Sequence, residues 1–259
     1  INEAVYNTNE FYPEQLVSVS EPVIMRDFRG ITVTVNPVQY NPATKQLRVY
    51  TDIDFDVVYE GTNPANPAPV QRDYISDAFR PLYKATFANF EQLYSDIPSK
   101  RGGYLIITHD AWVDSLTEFA DWKHHKGYDV KVVKLSEIAT NPSSYHIFNY
   151  IQEAYNTWEI PPEYVLLVGD VTMPVGSFPD YPYSFYTSDH KYACVDGNDF
   201  FADLFLSRMA IDTGLELHWL LQKTLRYEQA PASPEDGWMR RGLSAAGNIY
   251  AFTPRLTTL

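Results

Sequence analysis

Cysteine is almost absent from this 259-residue chain, which holds Cys194 and no other. An internal disulfide is thereby excluded, so the fold must rest on its core. Basic residues are also scarce: 20 Lys and Arg stand against 33 Asp and Glu, for a formal net charge of -13. Such a surface repels phosphates and argues against nucleic acid as a partner. No apolar run approaches the length of a membrane span. The opening residues, INEAVYNTNEFYPE, lack both a basic region and an apolar core, so they do not read as a signal peptide. No GxGxxG, Walker lysine, GxSxG or HExxH motif occurs. Nucleotide binding, the serine-hydrolase elbow and the zinc-peptidase helix therefore have no motif to stand on. Internal repeats and low-complexity tracts are missing too.

What is present is ample core material, 45% hydrophobic with 15% aromatic residues. This suits one large domain or two smaller ones. The first part is β-rich. Between Arg29 and Gly61 lie two alternating runs separated by turn chemistry from Asn41-Pro42 to Lys45. On the second run Leu47, Val49, Ile53, Phe55, Val57 and Tyr59 share one side. That period of two predicts a half-buried strand and a long hairpin. The proline-punctuated stretch from Gly61 to Pro69 cannot join a ladder. An aromatic-rich connection follows from Tyr74 to Tyr94. The polar stretch Ile97–Gly103, with its dibasic Lys100-Arg101, reads as a linker. A β-rich, sandwich-like domain over residues 1–96 is the expectation.

The second part, residues 103–259, changes style. YLIIT (Tyr104–Thr108), DVKVV (Asp129–Val133), YVLLV (Tyr164–Val168), Leu204–Leu206 and GLSAA (Gly242–Ala246) read as strands. Helical spacing fills the intervals. One helix is expected from Asp110 to Lys126 and stopped by Gly127, one starts at Ser143 or Ser144, and one is capped by Thr213. Strands alternating with helices predict a parallel sheet with helices on both faces. Ligands of such sheets sit past the carboxyl ends of strands, where His109, Asp110, Gly169 and Asp170 fall.

The stretch with the most chemistry is SDHKYACVDGNDFFADLFLSR, Ser188–Arg208. Asp189, Asp196, Asp199 and Asp203 crowd a loop that enters a strand. Three readings compete. Asp196, Asp199 and Asp203, with a carbonyl such as that of Phe201, could supply hard oxygens to a calcium ion. Cys194 could be a nucleophile, with His190 four residues away or His109 as base. Or Asp196-Gly197-Asn198 is a tight turn among solvated carboxylates. The remaining histidines, His124, His125, His146 and His218, sit on helices without metal spacing and read as structural or surface residues.

Several of these motifs are similar to the gingipain family of cysteine peptidases, family C25. They are RGGYLIITHDAWVDSLTEFADWKHHKGYDVKVV, EYVLLVGD, the Ser188–Arg208 stretch and a helix ending LRYE, together covering about Arg101 to Ala246. Upstream, NPVQYNPATKQLRVYTDIDFDVVY resembles the family's propeptide hairpin. The resemblance implies a caspase-like α/β fold for the second part, as the first subdomain of the peptidase. It implies that the family's catalytic histidine and cysteine lie downstream, so that neither Cys194 nor any histidine here matches a catalytic position. The acidic residue that assists the histidine would fall at Ile249, a departure from the pattern. It also implies structural calcium in the Asp196–Asp203 loop. Asp199 and Asp203 match side-chain ligands, with Asp203 in place of a longer Glu, and Asp196 and Phe201 match carbonyl donors.

The expectation is a piece of a secreted or cell-surface cysteine endopeptidase precursor, inactive by itself. Its propeptide would assist folding and block the cleft, and Lys100-Arg101 would be an activation site. Its partners would be the propeptide's own catalytic domain and, for the full enzyme, protein or peptide substrates. The competing class is a non-catalytic surface or secretion-associated protein that reuses the fold.

Overall fold

The computed structural model describes residues 6–58, 61, 63–69, 72–170, 178–179, 187–230, 237 and 241. The strand expected at Gly242–Ala246, and Ile249, lie outside the described residues.

The amino-terminal portion is built from short ribbons. In chain order the strands are β1 (Val17–Val19), β2 (Val23–Met25), β3 (Phe28–Gly30), β4 (Val33–Val35), β5 (Val38–Asn41) and β6 (Gln46–Val49). They pair antiparallel as β1–β4, β2–β3 and β5–β6. Among the described residues these are separate two-stranded ribbons and not two facing sheets, which differs from the sandwich-like expectation. The hairpin exists at β5–β6 but is shorter than the pattern suggested. Residues 50–58 carry no strand. Leu47 is 63% exposed, and Val49, Phe55 and Val57 are exposed as well. An alternating pattern states which side could be buried; a ladder and a covering layer are also needed.

The connection is ordered. β7 (Ile75–Ser76), α1 (Arg80–Thr86), α2 (Phe90–Tyr94) and β8 (Ser99–Lys100) follow. Ile75, Phe79, Tyr83 and Phe90 form a small buried cluster that also packs Phe28 and reaches Phe205 of the second portion. The stretch read as a polar linker is therefore partly a strand, since β8 pairs parallel with β7. Lys100 lies over the Tyr74 ring and Arg101 over that of Tyr128, and both cations are exposed.

The second portion matches its sequence pattern closely. β9 (Gly103–Thr108), α3 (Thr117–His125), β10 (Asp129–Lys134), the turn α4 (Leu135–Ile138), α5 (Ser144–Thr157) and β11 (Pro162–Val168) come first. β12 (Phe178–Pro179), β13 (Thr187–Ser188), β14 (Phe205–Met209) and α6 (Gly214–Gln229) complete the set. The sheet order is β10-β9-β11-β14, parallel throughout. Alternate residues of β9 feed opposite faces. Leu105 and Ile107 join Ile147, Ile151 and Tyr155 of α5. Tyr104 and Ile106 join Phe119 of α3 and Leu217, Leu221 and Leu225 of α6. Helices thus cover both faces. Thr213 and Glu216 form a capping box at α6, and Ser143 with His146 caps α5. The helix expected from Asp110 instead begins as two 3₁₀ turns before α3.

Candidate functional site

The acidic loop follows a 3₁₀ turn, His190–Ala193, and leads into β14 at the edge of the parallel sheet. Two of its carboxylates, those of Asp199 and Asp203, face the amino-terminal portion. Asp203 is fully buried. Its Oδ1 accepts the backbone N–H of Arg26 at 2.8 Å, and its Oδ2 accepts those of Val195 at 2.9 Å and Asp196 at 2.8 Å. Asp199 Oδ2 accepts the N–H of Ile24 at 2.7 Å and the Asn66 amide at 3.1 Å, while its Oδ1 takes Phe201 N–H at 2.8 Å. Residues 24 and 26 are two apart. Ile24 on β2 and Arg26 in the turn that follows it thus present their amides one to each carboxylate.

Two side chains complete the junction. Asn66 accepts from Asn198 N–H at 2.6 Å and donates to the Pro22 carbonyl at 2.7 Å. Arg26, buried and with φ +50, inserts its guanidinium between the rings of Phe79 and Tyr155. Its Nη1 donates to the carbonyls of Asp203 at 2.7 Å and Pro162 at 3.0 Å. Tyr155 returns a bond from its hydroxyl to the Arg26 carbonyl at 3.1 Å.

The four residues expected to hold calcium are thus close together, and the side chains of Asp199 and Asp203 already bind N–H groups. Each oxygen of Asp199 and Asp203 faces at least one N–H hydrogen. Asp196 Oδ1 takes Gly197 N–H at 2.9 Å, and Phe201 N–H donates to Asp199; the donors expected of Asp196 and Phe201 were their carbonyls, which these bonds do not use. Among the described residues no group of three or more His, Cys, Asp or Glu side chains is gathered as a metal site. Burial pushes the Asp203 carboxyl up to about 7, against the lowering effect of its three N–H bonds.

Cys194 is buried, and desolvation followed by the Asp203 charge pushes its thiol up to about 11. His190 Nε2 lies 3.4 Å from its sulfur. The same nitrogen is 2.8 Å from the Phe200 carbonyl, which can only accept. The proton is thereby held on Nε2, leaving that nitrogen no lone pair with which to act as a base toward Cys194. At the carboxyl ends of the central strands, His109 Nδ1 caps its own turn through Ala111 N–H, and Asp110 binds the Ser136 hydroxyl and amide. Arg208 grips Asp189 through two bonds of 2.7 Å and reaches the Gly169 carbonyl at 2.9 Å. These ends are tied down by structural bonds.

The sequence pattern missed Arg26, Asn66 and Glu163. Glu163, on β11, is buried and accepts from Ser76, Ala78 and Gly102. A charged residue inside an otherwise apolar strand was the available signal. Asn66 gave none, since its stretch has the composition of an ordinary loop.

Comparison with known proteins agrees with this bipartite arrangement. The model of peptidase family C25 matches residues 97–255, and that of the C25 propeptide matches residues 1–97. Gingipain R2 of Porphyromonas gingivalis strain W83 is 30% identical over 244 residues, covering 93% of this chain and 32% of the relative. Lys-gingipain of the same species is 28% identical over 264 residues, covering 98% of this chain and 15% of the relative. The chain spans about a third of the length of the first of these relatives. A solved complex of the pro- and mature domains of Porphyromonas gingivalis RgpB overlaps 49% of this chain and 29% of its own, with 25% identity and a TM-score of 0.44. The chain belongs to peptidase family C25, with a propeptide region followed by part of the peptidase region.

Proposed function

We propose that the chain is the latent portion of a secreted or cell-surface cysteine endopeptidase precursor. The amino-terminal region acts as a clamp that holds the peptidase region's edge loop in place. The observation that carries this reading is the pair of amides of Ile24, on β2, and Arg26, in the turn after it, seated on Asp199 and Asp203. These bonds span 175 and 177 residues and join the two regions directly. Asp199 and Asp203 are, in this form, receptors for the propeptide backbone.

In the whole protein a thiolate attacks a peptide carbonyl with a histidine as base, giving an acyl-enzyme that water releases. The parallel sheet is the first subdomain of a caspase-like catalytic domain, and neither Cys194 nor a histidine of this chain belongs to the catalytic pair. Support comes from Cys194, which is buried, has its thiol raised and has no free base. Protein or peptide chains are the substrates, and cleavage after Lys100-Arg101 separates the two regions.

The test uses the full-length precursor. Hydrolysis of a peptide amide is measured before and after removal of the amino-terminal region, with and without iodoacetamide. Expected are no turnover before removal and thiol-dependent turnover after it. Turnover with the region still in place refutes the latency. Turnover indifferent to iodoacetamide refutes the cysteine chemistry, and no turnover in either form favours a non-catalytic surface protein.

A further inference from the structure

Glu163 is a buried carboxylate, 1% exposed, whose partners are all neutral. Its Oε1 accepts from the Ser76 hydroxyl and, at 3.2 Å, from Ala78 N–H. Its Oε2 accepts from Gly102 N–H at 3.3 Å. Among the described residues no Lys, Arg or His forms an ion pair with it. A buried carboxylate without a cation is a costly group to retain. Gly102 is pressed against it so closely that an added Cβ would stand 2.5 Å from the Glu163 Cβ. Gly102 also follows the exposed Lys100-Arg101 pair directly.

We infer that Glu163 is the receptor for a new amino terminus created when the Arg101–Gly102 bond is cut. This rests on reading the chain as a precursor. Hydrolysis breaks the C–N bond and forms a C–O bond at Arg101 from water. The nitrogen of Gly102 takes up the protons and becomes an α-ammonium, while Arg101 keeps a carboxylate. The ammonium arises at the atom already facing Glu163 and supplies the cation the carboxylate lacks. With three donors in place of one, it competes with Ser76 and Ala78 for the carboxylate oxygens. Those two residues belong to the amino-terminal region, whose β7 is otherwise tied to residues before the cut: Ile75 N–H binds the Pro98 carbonyl and Asp77 N–H that of Lys100, each at 3.0 Å. The cut thus removes a tie between the regions and gives Glu163 a replacement partner within the peptidase region.

The experiment nicks the full-length precursor with trypsin, identifies new amino termini by sequencing, and follows acylation of the Gly102 amine against pH. Expected is an amine at least tenfold slower to react at pH 7.5 in the wild type than in the Glu163→Gln variant nicked alike. If that variant fails to fold, the wild type alone decides. An amine titrating well above the ordinary range of about 7.7–8.0 supports the pairing, and one within that range overturns it. New termini that exclude Gly102, or equal acylation rates in the two proteins, also overturn it. Thiol-dependent activity is assayed on the same samples. Its loss sinks the peptidase reading, whereas an unpaired Gly102 in an active enzyme sinks only the role of Glu163.

Discussion

Arg26 and Arg29 offer a matched test of what holds the two regions together. Both arginines lie at the β2–β3 ribbon, and both donate to backbone carbonyls. Arg29 makes three such bonds, to Asn66 at 2.6 Å, Ala65 at 3.0 Å and Asn63 at 3.2 Å, but it is exposed. Arg26 makes two, and it is 3% exposed between two aromatic rings. Replacing Arg26 by Ala leaves the buried carbonyls of Pro162 and Asp203 without these donors. At roughly 1.5–3 kcal/mol for each of the two bonds to a charged group, the loss is roughly 3–6 kcal/mol. For a chain of this size that corresponds to a fall in Tm on the order of 10 °C. Ala keeps a Cβ at the same positive φ, so backbone strain is common to both proteins. Arg29→Ala, despite losing more bonds, is expected to cost about 0.5–1 kcal/mol, because water replaces its contacts. Urea unfolding followed by tryptophan fluorescence measures both. Equal losses, or a larger loss for Arg29→Ala, would refute the primacy of burial and with it the clamp.

Three further outcomes are expected. Asp203, with its carboxyl raised to about 7, contributes stability that is fully present below its unfolded value near 4 and is lost as pH rises through 7. The difference is on the order of 4 kcal/mol, and Asp203→Asn should remove that part of the pH slope in urea titrations; an unchanged slope counts against it. Native Cys194 should react with iodoacetamide more slowly than free cysteine at pH 7.5 and reach that rate only in denaturant; fast native labelling contradicts the buried, raised thiol. Excess EDTA, compared with millimolar calcium, should leave the melting curve of this chain unchanged; a chelator-dependent fall would return calcium to the Asp199–Asp203 loop.

The α/β half was legible because its signals are local. The apolar run at Tyr104–Thr108, the Thr213 cap and the periodicity from Ile147 to Trp158 each lie within one element, and the structure places strands and helices there. The amino-terminal half depends on pairing and cover that a period of two does not encode, so the alternation from Leu47 onward promised a long strand and yielded β6 alone. The loop Asp196–Asp203 was singled out for its composition. Its partners, Ile24, Arg26 and Asn66, lie more than a hundred residues away, and two of them act through backbone N–H groups that carry no sequence signature. A carboxylate bound to amides and one bound to a cation have the same sequence.

Asn66 has a consequence for how long the junction lasts. Its side-chain amide imitates a peptide group, accepting from Asn198 and donating to Pro22 and Asp199. Deamidation would put a second negative charge beside Asp199 and abolish both donations. That ageing reaction ordinarily starts when the next residue's backbone nitrogen attacks the side-chain amide. Here the next residue is Pro67, which has no N–H to give up. The proline that bars this loop from a β-ladder thus also closes this route of decay to the asparagine, and the bonds it makes between the two regions are kept for longer.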